Sequence, residues 1–168
     1  EREATSVFKK ELIKNGADYI MYMACASGQG GYDQIITNPT EKQLENGDIL
    51  IIDTGSTLNG YFCDFDRNFG FGKISQTSLD AYAKLWEAIE STLEIIKPGI
   101  NCSEIYSSLS KYLLPEHNNN GSVGRMGHGL GLQLTEPPSI MHSDKTIIEK
   151  NMIITLEPSI ELTKNVML

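Results

Sequence analysis

What the chain has little of narrows its class. No apolar run approaches the roughly 20 residues that a membrane-spanning helix needs. No positively charged segment followed by a short apolar core is found, so no secretory leader is expected. Cysteine is scarce. Cys25, Cys63 and Cys102 are odd in number, scattered and without a CxxC, which reads as free thiols in a reducing, cytoplasmic compartment. Basic residues are outnumbered, 14 Lys and Arg against 22 Asp and Glu, and the net charge of -8 argues against nucleic acid and anionic membranes as partners. Histidine is rarer still, with three residues and none before His117. Gly28, Gly30 and Gly31 form a Gly-rich loop, but no GxxxxGK[ST] follows, so no phosphate site is expected there.

What is present fits one α+β domain over residues 1–168, with 40% hydrophobic and 21% charged residues. Glu1 to Lys14 starts inside a charged helical pattern, and Asn165 to Leu168 looks like the start of a strand, so a fragment of a longer chain is expected. The first helix, about Arg2 to Lys14, carries Ala4, Val7, Phe8 and Leu12 on one stripe, with Gly16 as its C-cap. A strand is expected over Tyr19 to Ala26, and a hairpin over about Asp48 to Phe69. A long helix spans about Leu79 to Ile96. Its expected buried face is Leu79, Tyr82, Trp86, Ile89, Leu93 and Ile96, its capping box Thr77 with Asp80. A third helix starts at Asn101 with Glu104 three residues on, sends Ile105, Leu109, Tyr112 and Leu113 inward, and ends at Pro115. A polar loop, Glu116 to Gly124, precedes strands at about Leu130 to Thr135 and Met152 to Glu157.

The hairpin carries the chemistry. An apolar run, Ile49 to Ile52, ends on Asp53, and a turn-rich segment leads to a second run with Asp64 and Asp66. A four-residue loop, Thr57 to Gly60, would set Asp53 opposite Asp64, whereas a tight Asn59-Gly60 turn would set Asp53 opposite Asp66. Facing carboxylates repel unless something positive lies between them, and their oxygens suit hard or borderline cations.

The far end adds to this set. His128 lies between glycines in GRMGHGLGLQLTEPP, and Glu157 ends an apolar run just as Asp53 does. Two aspartates, one histidine and one glutamate at the ends of apolar elements make a ligand set typical of a metallohydrolase. The segment Glu45 to Asp53 also echoes Glu149 to Glu157, which suggests two pseudo-twofold halves with the site between them.

These residues resemble the pita-bread metallopeptidases, which include methionine aminopeptidase, aminopeptidase P, prolidase and creatinase. The family pattern runs Asp, second Asp, a His in a GHG loop, a Glu in an x-E-P motif and a final Glu. Asp64 lies 11 residues after Asp53, Glu157 lies 29 after His128, and Asp64 with Arg67 and Phe69 fits D-x-x-R-x-F, as in the aminopeptidase P and prolidase branch. The resemblance implies a curved antiparallel sheet flanked by helices, a missing N-terminal domain and a homodimer. It implies two divalent ions, manganese first and cobalt, iron or zinc as alternatives, held by Asp53, Asp64, His128 and Glu157. A water between them would attack a peptide bond near an N-terminus, with the bond before proline a candidate, in the manner of an Xaa-Pro aminopeptidase or prolidase.

Three departures qualify that expectation. The final Glu is expected a few residues beyond Leu168, because Glu161 stands too close to Glu157. The peptidases carry a substrate-handling histidine 17 residues before the first Asp, where this chain has Ile36. A second family histidine is replaced by Thr135, whose hydroxyl donates a hydrogen bond but cannot act as an imidazole. Thr135, Glu136 and His142 are the candidate substrate-handling residues, with His117 the other remaining histidine. A kept ligand set with altered surroundings also fits a non-peptidase relative, a dimethylsulfoniopropionate lyase or a creatinase-like amidinohydrolase. A catalytically inactive binding protein is the further alternative.

Overall fold

The computed structural model describes residues 1–113, 124–164 and 166–168. His117, Pro115 and most of the expected Glu116 to Gly124 loop lie outside the described residues. The chain divides into two compact units. The first comprises residues 1–81, 132–134 and 161–168, and the second residues 82–131 and 135–160.

The first unit is a three-stranded antiparallel sheet under a helix. Helix α1 spans Arg2–Lys14. It ends in a Schellman turn: Gly16 adopts φ +100, its N–H donates to the Ile13 carbonyl and that of Ala17 to the Leu12 carbonyl. Strands β1 (Tyr19–Gln29), β2 (Asp48–Leu58) and β3 (Tyr61–Gly70) follow, with β2 central. Strand β1 runs three residues past Ala26 and absorbs Gly28, which was expected in the loop. A continuous apolar run at Ile49 to Ile52 suits a central strand covered on both faces. Met23, Cys25, Leu50 and Ile52 form the core on one face, and Ala4, Phe8 and Leu12 of α1 pack against it with Ile20 and Leu44. Val7, expected in that stripe, is exposed.

Asp48 anchors the start of β2. Its buried carboxylate accepts from Gln29 Nε2 at 2.8 Å and from the Glu45 N–H at 2.9 Å, with Lys42 Nζ 3.5 Å away. Strands β6 (Glu161–Thr163) and β7 (Val166–Met167) form a short ribbon, and Met167 exchanges backbone hydrogen bonds with Tyr32.

Helix α2 spans Gln76–Leu93, three residues earlier than expected at each end. Its start is capped by Ser75, whose Oγ accepts from the Ser78 N–H, rather than by Thr77. The expected buried face points outward: Leu79, Tyr82, Trp86 and Leu93 are exposed, Trp86 by 59%. Ser78, Ala81, Leu85, Ala88 and Thr92 are buried instead. The helix carries two stripes at three- and four-residue steps, and the one of smaller side chains is turned inward.

The second unit holds the rest of α2 and helix α3 (Cys102–Leu113), joined by a Thr92 Oγ1 to Ser108 Oγ hydrogen bond of 2.9 Å. Asn101 and Glu104 form a reciprocal capping box: Asn101 Oδ1 accepts from the Glu104 N–H, and Glu104 Oε2 from the Asn101 N–H, each at 3.1 Å. Ile105 and Leu109 are fully buried. Strands β4 (His128–Gly129) and β5 (Glu136–Ser139) pair antiparallel. The expected strand over Leu130 to Thr135 is absent, because pairing starts earlier, at His128, and residues 131–135 make the connection. Met152 to Glu157 is not a full strand either, only a bridge from Ile154 to Gly129. Its backbone still bonds residues 126–130: Thr155 N–H to the His128 carbonyl at 2.8 Å, Glu157 N–H to the Met126 carbonyl at 2.9 Å.

Candidate metal centre

In the first unit the hairpin turns at Asn59 and Gly60, both with positive φ, and Leu58 pairs with Tyr61. This tight turn sets Asp53 opposite Asp66 and Asp64 opposite Gly55, which rules out the four-residue loop and the Asp53–Asp64 pairing. The side-chain period of a strand is two, so Asp53, Asp64 and Asp66 all project from one face. That face is opposite the one that packs on α1, since Leu50 and Ile52 lie on the alternate parity.

Sequence reasoning missed the residue that joins the two aspartates. Tyr22 on β1 pairs with Gly55, which pairs with Asp64, so the three form one row across the sheet. The Tyr22 hydroxyl lies 2.5 Å from Asp53 Oδ1 and also meets Asp64 Oδ1. Gly55 makes room for the ring: a Cβ there would stand 2.9 Å from Tyr22 Cδ1 and 2.8 Å from Leu134 Cδ1. The glycine inside a strand was the available signal, since such residues mark a close approach. Burial first, then the contacts with Asp53 and Asp64, push the Tyr22 phenol far above its ordinary pKa, so it remains a neutral donor. One hydroxyl carries one hydrogen, so it donates to one carboxylate, and the other contact sets oxygen lone pairs against each other. Tyr32 is buried, and burial followed by the charge of Asp66 raises its pKa as well.

In the second unit, residues 126–130 run between two partners. Met126 N–H donates to the Ile140 carbonyl at 2.7 Å, and the Ile140 N–H to the Gly127 carbonyl at 2.9 Å, while residues 153–157 hold the other side. His128 is buried and its Nδ1 lies 2.8 Å from the Gly129 carbonyl oxygen. A carbonyl only accepts, so Nδ1 carries the hydrogen and Nε2 presents its lone pair unless the ring is charged. Nε2 faces Glu157 Oε1 at 2.9 Å. Thr155 serves both: its Oγ1 accepts from the His128 N–H at 3.0 Å and donates to Glu157 Oε1.

The other candidates lie on the same unit. Glu136 opens β5, with Oε1 close to Gly131. Thr135 Oγ1 is 3.5 Å from Arg125 Nη2. His142 is exposed and its ring centroid lies 6.3 Å from that of Tyr106. The structure therefore joins Asp53 with Asp64 in one unit and His128 with Glu157 in the other.

The first unit thus gathers two carboxylates around one phenol, and the second sets an imidazole against a carboxylate, donor types that suit divalent cations. The sequence profile of metallopeptidase family M24 matches residues 1–166, and the chain belongs to that family. It is 28% identical to the Xaa-Pro dipeptidase of Pyrococcus furiosus over 173 residues, covering 96% of this chain and 49% of that protein. Among solved structures, it matches the prolidase of Pyrococcus horikoshii OT3 with a TM-score of 0.89 at 27% identity, over 100% of this chain and 48% of the other. The X-Pro aminopeptidase of Thermotoga maritima MSB8 matches with a TM-score of 0.88 at 25% identity, over 100% and 48%. The fold is the α+β pita-bread fold of those enzymes. The chain spans about half the length of the relatives it matches. No described helix is long and apolar enough to cross a membrane.

Proposed function

We propose that this chain belongs to the catalytic domain of a metal-dependent peptidase that cleaves a peptide bond near an N-terminus, with Xaa-Pro substrates as first candidates. The observation that carries the reading is the pair of ligand-type clusters, Tyr22 between Asp53 and Asp64, and His128 Nε2 against Glu157. Asp64, His128 and Glu157 are half-buried, buried and half-buried, which suits ligands reached by both solvent and substrate. Asp53 and Asp64 in the first unit, and His128 and Glu157 in the second, would hold the divalent ions. Manganese is the first choice for a set rich in oxygen with one imidazole. When bound, such a pair acidifies a water and polarises the scissile carbonyl. The residues of this chain do the rest. Thr155 holds the Glu157 carboxylate, the Gly129 carbonyl fixes the His128 tautomer, and Tyr22 holds the aspartates. Thr135 would donate a hydrogen bond to substrate, with Glu136 and His142 shaping the approach. A cytoplasmic homodimer accompanies the reading, and light scattering of the full-length protein tests its mass.

A second reading has its own support. Ile36 stands where the peptidases carry a histidine, and it is 90% exposed with no base to offer. With Thr135 at the other such position, a lyase or amidinohydrolase acting on a small osmolyte-like substrate is the alternative. The test is metal analysis of the full-length protein after manganese loading, followed by Xaa-Pro dipeptides, dimethylsulfoniopropionate and creatine as substrates. About two ions per chain, lost on Asp64→Ala, with release of free proline, supports the peptidase. Turnover of only the small substrates supports the alternative, and absence of bound metal overturns the metallopeptidase and favours a metal-free creatinase-like enzyme or a binding protein.

A further inference from the structure

We propose that Tyr22 is a positioning residue that presets the aspartate half of the metal site, an inference that rests on the metal-site reading above. Three observations converge within one unit. The hydroxyl reaches Oδ1 of Asp53 and Oδ1 of Asp64, residues that are not directly paired in the ladder. Diagonal neighbours on one face of a sheet stand about 7–8 Å apart at Cα, so long side chains can meet between them but nothing in the backbone fixes their rotamers. Tyr22 supplies that fixation. Its hydroxyl meets one oxygen of each carboxylate, donates to one of them, and so links the two side chains.

The neighbourhood is built for the phenol. Gly55, directly across the ladder, is the position at which a side chain would collide with the ring. Thr54 Oγ1 donates to the Tyr22 carbonyl at 2.9 Å and secures the backbone at the same point. Register shifts between Ile20 and Tyr22 and then runs regularly from Tyr22 to Gln29, so Tyr22 opens the regular ladder. A tyrosine kept only for packing would not need its oxygen at the junction of two carboxylates.

The test is Tyr22→Phe in the full-length protein, which keeps the ring and removes the oxygen. Manganese binding is titrated calorimetrically, and cobalt loaded in its place reports ligand geometry through its visible spectrum. Loss of a hydrogen bond that orients a metal-binding carboxylate lowers metal affinity by about 10- to 100-fold, and the cobalt spectrum is expected to shift. Gly55→Ala displaces the ring while keeping the hydroxyl in the chain, and is expected to lower the affinity in the same direction. Circular dichroism of the metal-free proteins shows whether each variant is folded, and an unfolded Tyr22→Phe protein leaves the decision with Gly55→Ala. Wild-type affinity with an unchanged spectrum in a folded variant overturns the role of Tyr22 while leaving the metal site standing. No manganese binding by the wild-type protein overturns both.

Discussion

Gly127→Ala is expected to damage the protein out of proportion to the single methyl it adds. Gly127 adopts φ +148, a region that L side chains rarely occupy, and holding a residue there costs about 1–3 kcal/mol. The new Cβ would also strike the Thr155 carbonyl oxygen, with the Thr155 carbonyl carbon at 2.9 Å and Ile140 Cγ1 at 3.2 Å. The obstruction is backbone that also carries the hydrogen bonds beside His128, so a shift must move a rail rather than a flexible tip. Overpacking of that kind costs about 1–3 kcal/mol. Together the two effects amount to about 2–6 kcal/mol. At about 2–4 °C per kcal/mol for a domain of this size, the melting temperature should fall by roughly 4–24 °C. Calorimetry of the full-length variant measures it, with Gly124→Ala as control, because a Cβ at Gly124 meets nothing within 4 Å. A Gly127→Ala protein that melts with the wild type, or a control that falls as far, refutes the reasoning.

Other outcomes follow from the same geometry. Thr155→Val removes the acceptor of the His128 N–H and the donor to Glu157; a loss of about 1–3 kcal/mol is expected in urea unfolding, with weaker metal retention against a chelator. Asp48→Ala leaves the Glu45 N–H without its acceptor and takes one of two acceptors from Gln29 Nε2, and should cost about 1–3 kcal/mol by the same assay. Burial, with Glu1 as the lesser cause, pushes the Cys25 thiol up to about 11, and burial with Asp144 does the same at Cys102. Unfolded thiols ionise about two pH units lower, so stability contributed below that range should be lost as pH rises through about 11. The urea midpoint should therefore fall less steeply on alkalinisation in a Cys25→Ala, Cys102→Ala double variant.

Elements were legible where one signal dominated. Helix α1, the hairpin and the Asn101 cap of α3 each combine a periodic apolar pattern with an unambiguous terminus. The site aspartates were legible despite an open register, because both hairpin alternatives keep Asp53 and Asp64 at the same parity. Helix α2 misled because Leu79, Tyr82, Trp86 and Leu93 outweigh Ala81 and Ala88 in apolar bulk, while close approach favours the smaller residues. The segment Leu130 to Thr135 misled because its apolar content resembles a strand, whereas the pairing starts at His128. Tyr22 was invisible because its partners lie 31 and 42 residues away, and only the ladder brings them level.

The two-residue turn at Asn59 and Gly60 separates what can change from what cannot. A residue inserted at its tip, where a Cβ on Gly60 would meet nothing, lengthens the loop and leaves every rung of the ladder below it in place. A residue inserted between Tyr61 and Asp64 would carry Asp64 to the face that packs on α1. Length drift among related chains should therefore collect at the hairpin tip and vanish from its arms. The same tip is a natural place to graft a reporter without disturbing the carboxylates.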